Sequence, residues 1–128
     1  DLIAVAGCSI IAWSFEASTY WVLAKGFGEP LSSALTPAAA FLTTGVANLA
    51  TLIPSSPGYI GPFETGVKWV VEGALGVDGA TALSYAILVH AVLFFPITLL
   101  GFFKLWRERI SLRQLRDAEV EMEAAEAT

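Results

Sequence analysis

The fold is decided by residues 48–64, NLATLIPSSPGYIGPFE. Three prolines and two glycines within residues 54–62 exclude a continuous helix there. Apolar segments flank this broken stretch on both sides, which indicates that it lies at membrane depth. Non-helical backbone is stable at that depth only where it is buried in protein or lines a wet cavity, and broken segments of this kind mark binding sites in transporters. The working hypothesis is therefore a transporter-like site at residues 54–62.

The composition indicates an integral membrane protein. Of the 128 residues, 55% are hydrophobic and only 15% are charged, and the mean hydropathy is +0.66. The apolar residues come in long blocks. The predicted fold class is therefore all-α: a polytopic helical membrane protein with a Pro/Gly-broken re-entrant segment.

The charged residues and the single cysteine exclude several functional classes. The net charge of −5 is dominated by acids in the last twelve residues, Asp117, Glu119, Glu121, Glu123 and Glu126. The rest of the chain is nearly balanced and has no basic face of the kind that binds nucleic acid. Cys8 cannot form an intrachain disulfide, and no cluster has metal-ligand spacing. We expect no metal, no cofactor and no nucleic-acid partner.

Helix length sets the predicted domain organisation. The predicted segments are spans at about 2–23, 31–53 and 80–106, a re-entrant loop at 54–62, a half-helix at 63–75 and a basic-then-acidic tail at 107–128. The first span is about 33 Å long, enough to cross a hydrocarbon core of about 30 Å, whereas the half-helix is about 20 Å long and too short. Because so few helices bury little polar surface, we expect the chain to be part of a larger protein or a homo-oligomer.

Three polar residues lie within the predicted spans. A carboxylate in a span costs roughly 2.5–3.5 kcal/mol, so Glu16 should face protein or water. Alternatively, Glu16 lies close enough to the boundary to be hydrated, or bonds to Thr19 or Tyr20. Asn48 either belongs to the site or joins two helices through its amide. His90, near the middle of the last span, is either functional or a neutral imidazole bonded to a neighbour.

The half-helix carries a charged stripe. Pro62 suits the first helical position, which puts Glu64 at the third, where its carboxylate meets free amides and the positive end of the helix. Glu64, Lys68 and Glu72 repeat every four residues and so share one face. Two interpretations remain open: a re-entrant half-helix whose stripe faces a cavity or a partner helix, or an amphipathic helix on the membrane surface.

The distribution of basic residues predicts the topology. Five of the seven cluster at and after the end of the last span, Lys104, Arg107, Arg109, Arg113 and Arg116. This pattern places the C-terminus in the cytoplasm and the chain in the plasma membrane. Three crossings also keep Lys25 inside. Four crossings would place Lys25 outside and would require the 13-residue half-helix to span, so three are favoured.

These residues resemble a known family, the flippase-like integral membrane family that includes the transmembrane region of lysylphosphatidylglycerol synthases (UPF0104-like proteins). Its pattern has a Trp-x-x-Glu in one helix, matched by residues 13–16, and a helix that ends in Asn, matched by Asn48. A Pro-x-x-Pro-Gly-x-x-Gly-x-x-Glu loop follows, matched by residues 54–64, and a later helix has a basic residue and a Pro, matched by His90 and Pro96.

This chain departs from the family pattern at three positions. Many members have Gly at the position of Tyr59, Arg just before the Glu, where this chain has Phe63, and Arg at the position of His90. Members are typically more than twice this length, so the chain resembles their C-terminal portion. We expect no soluble synthase domain within these 128 residues.

The resemblance implies a protein that moves or handles membrane lipids, its expected partners. The substrate would be a phospholipid or a polyprenyl-linked sugar, carried between leaflets along a polar path at the broken segment. The candidate substrate-binding residues are Glu16, Asn48, Ser55, Ser56, Gly58, Gly61, Glu64, Lys68 and His90. The loop amides at Gly58 and Gly61 are expected to face an anionic head group. Lys68 is expected to offset the charge of Glu64.

Two other classes compete with translocation. The chain would instead be a non-catalytic membrane subunit that anchors or regulates a glycosyltransferase or a lipid synthase. Its polar loop would then be a rigid joint between helices. An enzyme acting within the membrane is the weakest class, because the sequence has no nucleophile–base pair and no zinc motif.

Overall fold

The computed structural model describes residues 1–55, 57–107, 122 and 125. In this part of the chain the regular elements are all helical: α1 Leu2–Phe27, α2 Leu31–Ala34, α3 Pro37–Ala50, α4 Pro62–Lys68, a π-helical turn Trp69–Ala74 and α5 Gly79–Arg107. The predicted all-α class is confirmed. The chain divides into two compact units, Asp1–Leu93 and Phe94–Thr128.

Two helices are long and apolar enough to cross a membrane, α1 with 26 residues and α5 with 29. They correspond to the first and last predicted spans. Helix α1 runs to Phe27 and ends at Gly28, whose φ of 77° stops the right-handed helix. Helix α5 begins after Asp78, whose Oδ2 accepts hydrogen bonds from the backbone amides of Ala80 and Thr81, both at 3.0 Å.

The helix predicted over residues 31–53 is divided in the structure into α2 and α3. Thr36 is extended, with ψ of 165°, and its hydroxyl accepts from the Ala39 amide at 3.2 Å. Pro37 then occupies the first turn of α3, where its missing N–H costs nothing. Pro37 therefore starts a new helix rather than interrupting one continuous helix. Helix α3 alone is about 21 Å long.

The segment 63–75 is helical as predicted, but it is not one regular helix. Helix α4 begins at Pro62, the position predicted from the sequence, and continues to Lys68. The next six residues form a π-helical turn, and the Leu75 amide reaches back five residues to the Val70 carbonyl at 3.0 Å. The wider turn rotates the following residues relative to α4, a change of register that hydrophobic spacing does not reveal.

The unit Asp1–Leu93 has a core built largely from small residues. Its buried alanines lie on α1, α3 and α5: Ala17, Ala24, Ala40, Ala47, Ala82 and Ala86. Small side chains let helices approach closely, as is usual between membrane helices. A buried hydrogen bond from the Tyr85 hydroxyl to the Tyr20 carbonyl, 2.7 Å long, joins α5 to α1. Neither tyrosine was identified as important from the sequence.

The unit Phe94–Thr128 is described over residues 94–107, 122 and 125. Its helical part is apolar and exposed, and its rings pair locally, Phe94 with Phe95 and Phe103 with Trp106. The predicted tail at 107–128, apart from Arg107 and residues 122 and 125, lies outside the described residues, as does Ser56.

Candidate functional site

Among the described residues of the broken segment, three lie in the left-handed region of backbone conformation. These are Gly58 with φ of 83°, Tyr59 with φ of 56° and Gly61 with φ of 104°. Glycine adopts such angles without steric cost, whereas a side chain adds about 1–2 kcal/mol. The turn therefore explains why glycine occupies positions 58 and 61. Tyr59 also has a positive φ although it carries a side chain.

The start of α4 is closed by its own side chains. The Gly61 amide donates to Glu64 Oε2 at 2.7 Å, and the Thr65 hydroxyl donates to the Gly61 carbonyl at 2.7 Å. Glu64 thus caps the helix, as its position predicted. The Gly61 amide was also expected to face an anionic head group, and here the structure differs, because the nearest anion is the carboxylate of Glu64.

Glu64 makes its second bond to another helix. Its Oε1 lies 2.5 Å from Nδ1 of His90 on α5, and only 15% of the Glu64 side chain and 13% of the His90 side chain are exposed. With Glu64 ionised, Nδ1 carries the proton and donates. The Phe63 ring lies 4.5 Å from the imidazole, centroid to centroid. One carboxylate therefore joins the turn, the start of α4 and the middle of α5.

A second polar pair joins α1 to α3. Asn48 Nδ2 donates to Glu16 Oε1 at 2.8 Å and also contacts the Thr44 carbonyl at 3.0 Å. Both side chains are half-buried. Glu16 thus faces protein, as one of the expectations had it, and its partner is Asn48 rather than Thr19 or Tyr20. Asn48 has the interhelical role considered for it.

Lys68 does not offset the charge of Glu64. Its ammonium pairs with Glu72 at 3.1 Å, one turn further along, and both side chains are substantially exposed. Glu64 is four residues before Lys68 and Glu72 four after, so the spacing allows either pair. In the structure Lys68 pairs with Glu72, while the two oxygens of Glu64 accept from the Gly61 amide and contact His90 Nδ1. The group beside Glu64 that can carry a positive charge is His90.

The remaining candidates lie in the broken segment. Ser55 is exposed, Gly58 is half-buried and Gly61 is exposed, while Ser56 is outside the described residues. Within residues 1–55 and 57–107, no three His, Cys, Asp or Glu side chains are grouped as a metal site requires. The arrangement consists of hydrogen-bonded polar pairs within an apolar helical chain, which suits contact with a polar group better than covalent chemistry.

The long apolar helices and the internal polar pairs define an all-α membrane protein. The family model for the lysylphosphatidylglycerol synthase TM region matches residues 1–101, and the chain belongs to this family. The resemblance drawn from the sequence motifs is confirmed. Membrane localisation follows from the family together with the two apolar helices.

Among curated proteins, the chain is similar to glycosyltransferase AglD of Haloferax volcanii, at 30% identity over 102 residues. The match covers 72% of this chain and 16% of that protein, so the chain spans about a sixth of the length of this relative. No solved structure matches the chain.

Proposed function

We propose that this protein translocates a lipid, moving a phospholipid or polyprenyl-linked head group between leaflets along a polar path at the broken segment. The observation that carries the proposal is the hydrogen bond between Glu64 and His90. It holds two ionisable groups, both largely shielded, between the start of α4 and the middle of α5. Ionisable groups at membrane depth are costly, and they are characteristic of substrate and proton pathways.

The pair is suited to a polar head group for two reasons. First, a head group that enters hydrocarbon needs hydrogen-bonding partners to replace water, and broken helices with internal charges provide them. Second, Glu64 with a protonated His90 would be neutral overall, so a head group would meet both a donor and an acceptor. In this proposal Ser55 and Gly58 of the loop line the same path, whereas the Glu16–Asn48 hydrogen bond holds α1 against α3.

The proposal includes a membrane arrangement. The segment from the end of α3 to the π-helical turn enters and leaves on one side as a re-entrant element, because α4 and this turn together are about 20 Å long. The basic residues at the end of α5, Lys104 and Arg107, favour a cytoplasmic C-terminus in the plasma membrane.

The test is a leaflet-transfer assay on the full-length protein in vesicles that contain a fluorescent phospholipid or a fluorescent polyprenyl-linked sugar. Glu64→Gln retains the size of the side chain but replaces one acceptor oxygen by an NH2 donor and removes the charge, and it should slow transfer by about a hundredfold, or about 2.7 kcal/mol. Glu72→Gln is the matched control, since the same change on the same stripe affects only an exposed pair. Full transfer by Glu64→Gln at equal protein density would refute the proposal.

A second function is favoured by one comparison. The matched relative carries the name glycosyltransferase, and the match covers only 16% of it. A non-catalytic membrane part that anchors or regulates a glycosyltransferase or a lipid synthase would fit this. In that case the wild-type protein would leave each labelled lipid in its original leaflet, and Glu64→Gln would change only the stability of the protein.

A further inference from the structure

An apolar groove lies between the C-terminal half of α3 and α4. Its volume is about 660 Å³, within the range of small-molecule sites, and its walls include Leu49, Ile53, Pro62, Thr65, Gly66 and Trp69. The side chains at its rim are large and exposed, with 66% of Leu49 and 70% of Trp69 accessible. No residue of this groove except Gly61 is among the candidates taken from the sequence.

The groove depends on a close approach of two backbones. A Cβ placed on Gly66 would lie 2.9 Å from the Ala50 Cβ and 3.2 Å from the Ala47 Cα. With no side chain at Gly66, α4 lies directly against α3, and the large residues on either side of this contact stand apart. The result is an open apolar groove lined by small residues such as Ala50 and Gly66 and by large ones such as Leu49 and Trp69.

The polar atoms at the end of the groove offer little to a head group. The Thr65 hydroxyl is engaged by the Gly61 carbonyl, and the Gly61 amide by Glu64. The groove therefore presents hydrocarbon to whatever occupies it. Because the chain belongs to a membrane family, lipid hydrocarbon is available as an occupant of such a groove.

Gly61 connects this groove to the polar pair. It lines the groove, and its amide also holds the carboxylate that binds His90. An amphiphile lying across Gly61 would thus have apolar surface on one side and the Glu64–His90 pair on the other. We propose that the groove binds one hydrocarbon chain of the transported amphiphile. This assignment rests on the proposed function and specifies how its substrate is held.

The experiment uses the full-length protein in phosphatidylcholine vesicles containing a phosphatidylglycerol with a diazirine at the middle of one acyl chain. After irradiation, mass spectrometry maps the adducts. We expect them on residues 46–69, at the groove walls. Leu49→Trp, which enlarges a rim residue into the groove, should lower the adduct yield and the transfer rate by about tenfold. Ile53→Trp should do the same, which protects the test against a folding defect in one variant.

Leu42→Trp is the matched control. It lies two turns before Leu49 on α3, it is 52% exposed, and it is not part of the groove wall. It should leave adducts and transfer unchanged. The assignment is overturned if the wild-type protein transfers lipid without adducts at 46–69, as when another helix or a second copy fills the groove. It is also overturned if both tryptophan variants behave like Leu42→Trp. Adducts at the groove without transfer would support the chain site and refute the proposed function.

Discussion

Glu16 and Glu64 are two carboxylates among apolar helices, and each is hydrogen-bonded to a residue of another helix. They differ in location and in partner. Glu16 lies within the continuous helix α1 and bonds to the amide of Asn48, which cannot change its charge. Glu64 lies at a helix start beside a broken segment and bonds to an imidazole, which can. Both carboxylates join two helices, but only Glu64 does so through a partner that can itself carry a charge.

The largest loss of stability should come from removing His90, the partner of Glu64. His90→Leu leaves Glu64 largely buried without its partner on α5, and it should cost about 3 kcal/mol. His90→Gln retains a donor and should recover more than half of that. Thermal unfolding of the full-length protein in detergent micelles measures both. Equal losses for the Leu and Gln variants would show that the bond to Glu64 contributes little.

The corresponding change at the other pair should cost less. Asn48→Leu removes a neutral donor to a half-buried carboxylate, and the loss should be about 1.5–2 kcal/mol. The same unfolding measurement applies. A loss as large as that of His90→Leu would contradict the distinction drawn between the two pairs.

Asp78 is a third carboxylate that caps a helix, and it allows capping to be tested separately from the bond that Glu64 makes to His90. Asp78 caps α5, and the hydrogen bond from the Thr81 amide, with a smaller one from Ala80, lowers the pKa of its carboxyl. The ionised form therefore stabilises the fold above the unfolded pKa of about 3.9, and this is lost as the pH falls through the lower folded pKa. Asp78→Asn should remove that part of the acid dependence of unfolding. An unchanged acid limb would contradict this role for Asp78.

The smallest effect should come from the exposed pair on the charged stripe. Glu72→Gln breaks the ion pair with Lys68, and both side chains are well exposed to the surrounding medium. Such pairs contribute about 0.5 kcal/mol or less. If Glu72→Gln lowers the melting temperature as much as Asn48→Leu does, the charged stripe packs against a partner helix. That result would favour the re-entrant interpretation of the half-helix over the surface interpretation.

Local rules predicted the start of α4 from the sequence. Pro62 and Glu64 are close in the chain, and their helix positions follow from missing or free amides. The same rules located Glu16, Asn48 and His90 as polar residues within apolar segments. They did not identify the partners, because Glu16 and Asn48 are 32 residues apart and Glu64 and His90 are 26 apart.

Two interactions expected around Glu64 differ in the structure. Lys68 was expected to offset the charge of Glu64 but pairs with Glu72, and the Gly61 amide was expected to face an anionic head group but donates to Glu64. His90 takes one oxygen and the Gly61 amide the other. The groove beside Gly66 was missed because it depends on how closely α4 approaches Ala50, which spacing along the chain does not encode.

The central claim is that the charge at Glu64 serves transport while the charge at Glu16 serves assembly. The most direct test compares Glu64→Gln and Glu16→Gln in the leaflet-transfer assay, at equal reconstituted density and in the same vesicles. Both changes conserve size and one hydrogen bond. The account predicts that Glu64→Gln slows transfer by about a hundredfold and Glu16→Gln by less than about threefold. Equal losses, or a larger loss for Glu16→Gln, would contradict it.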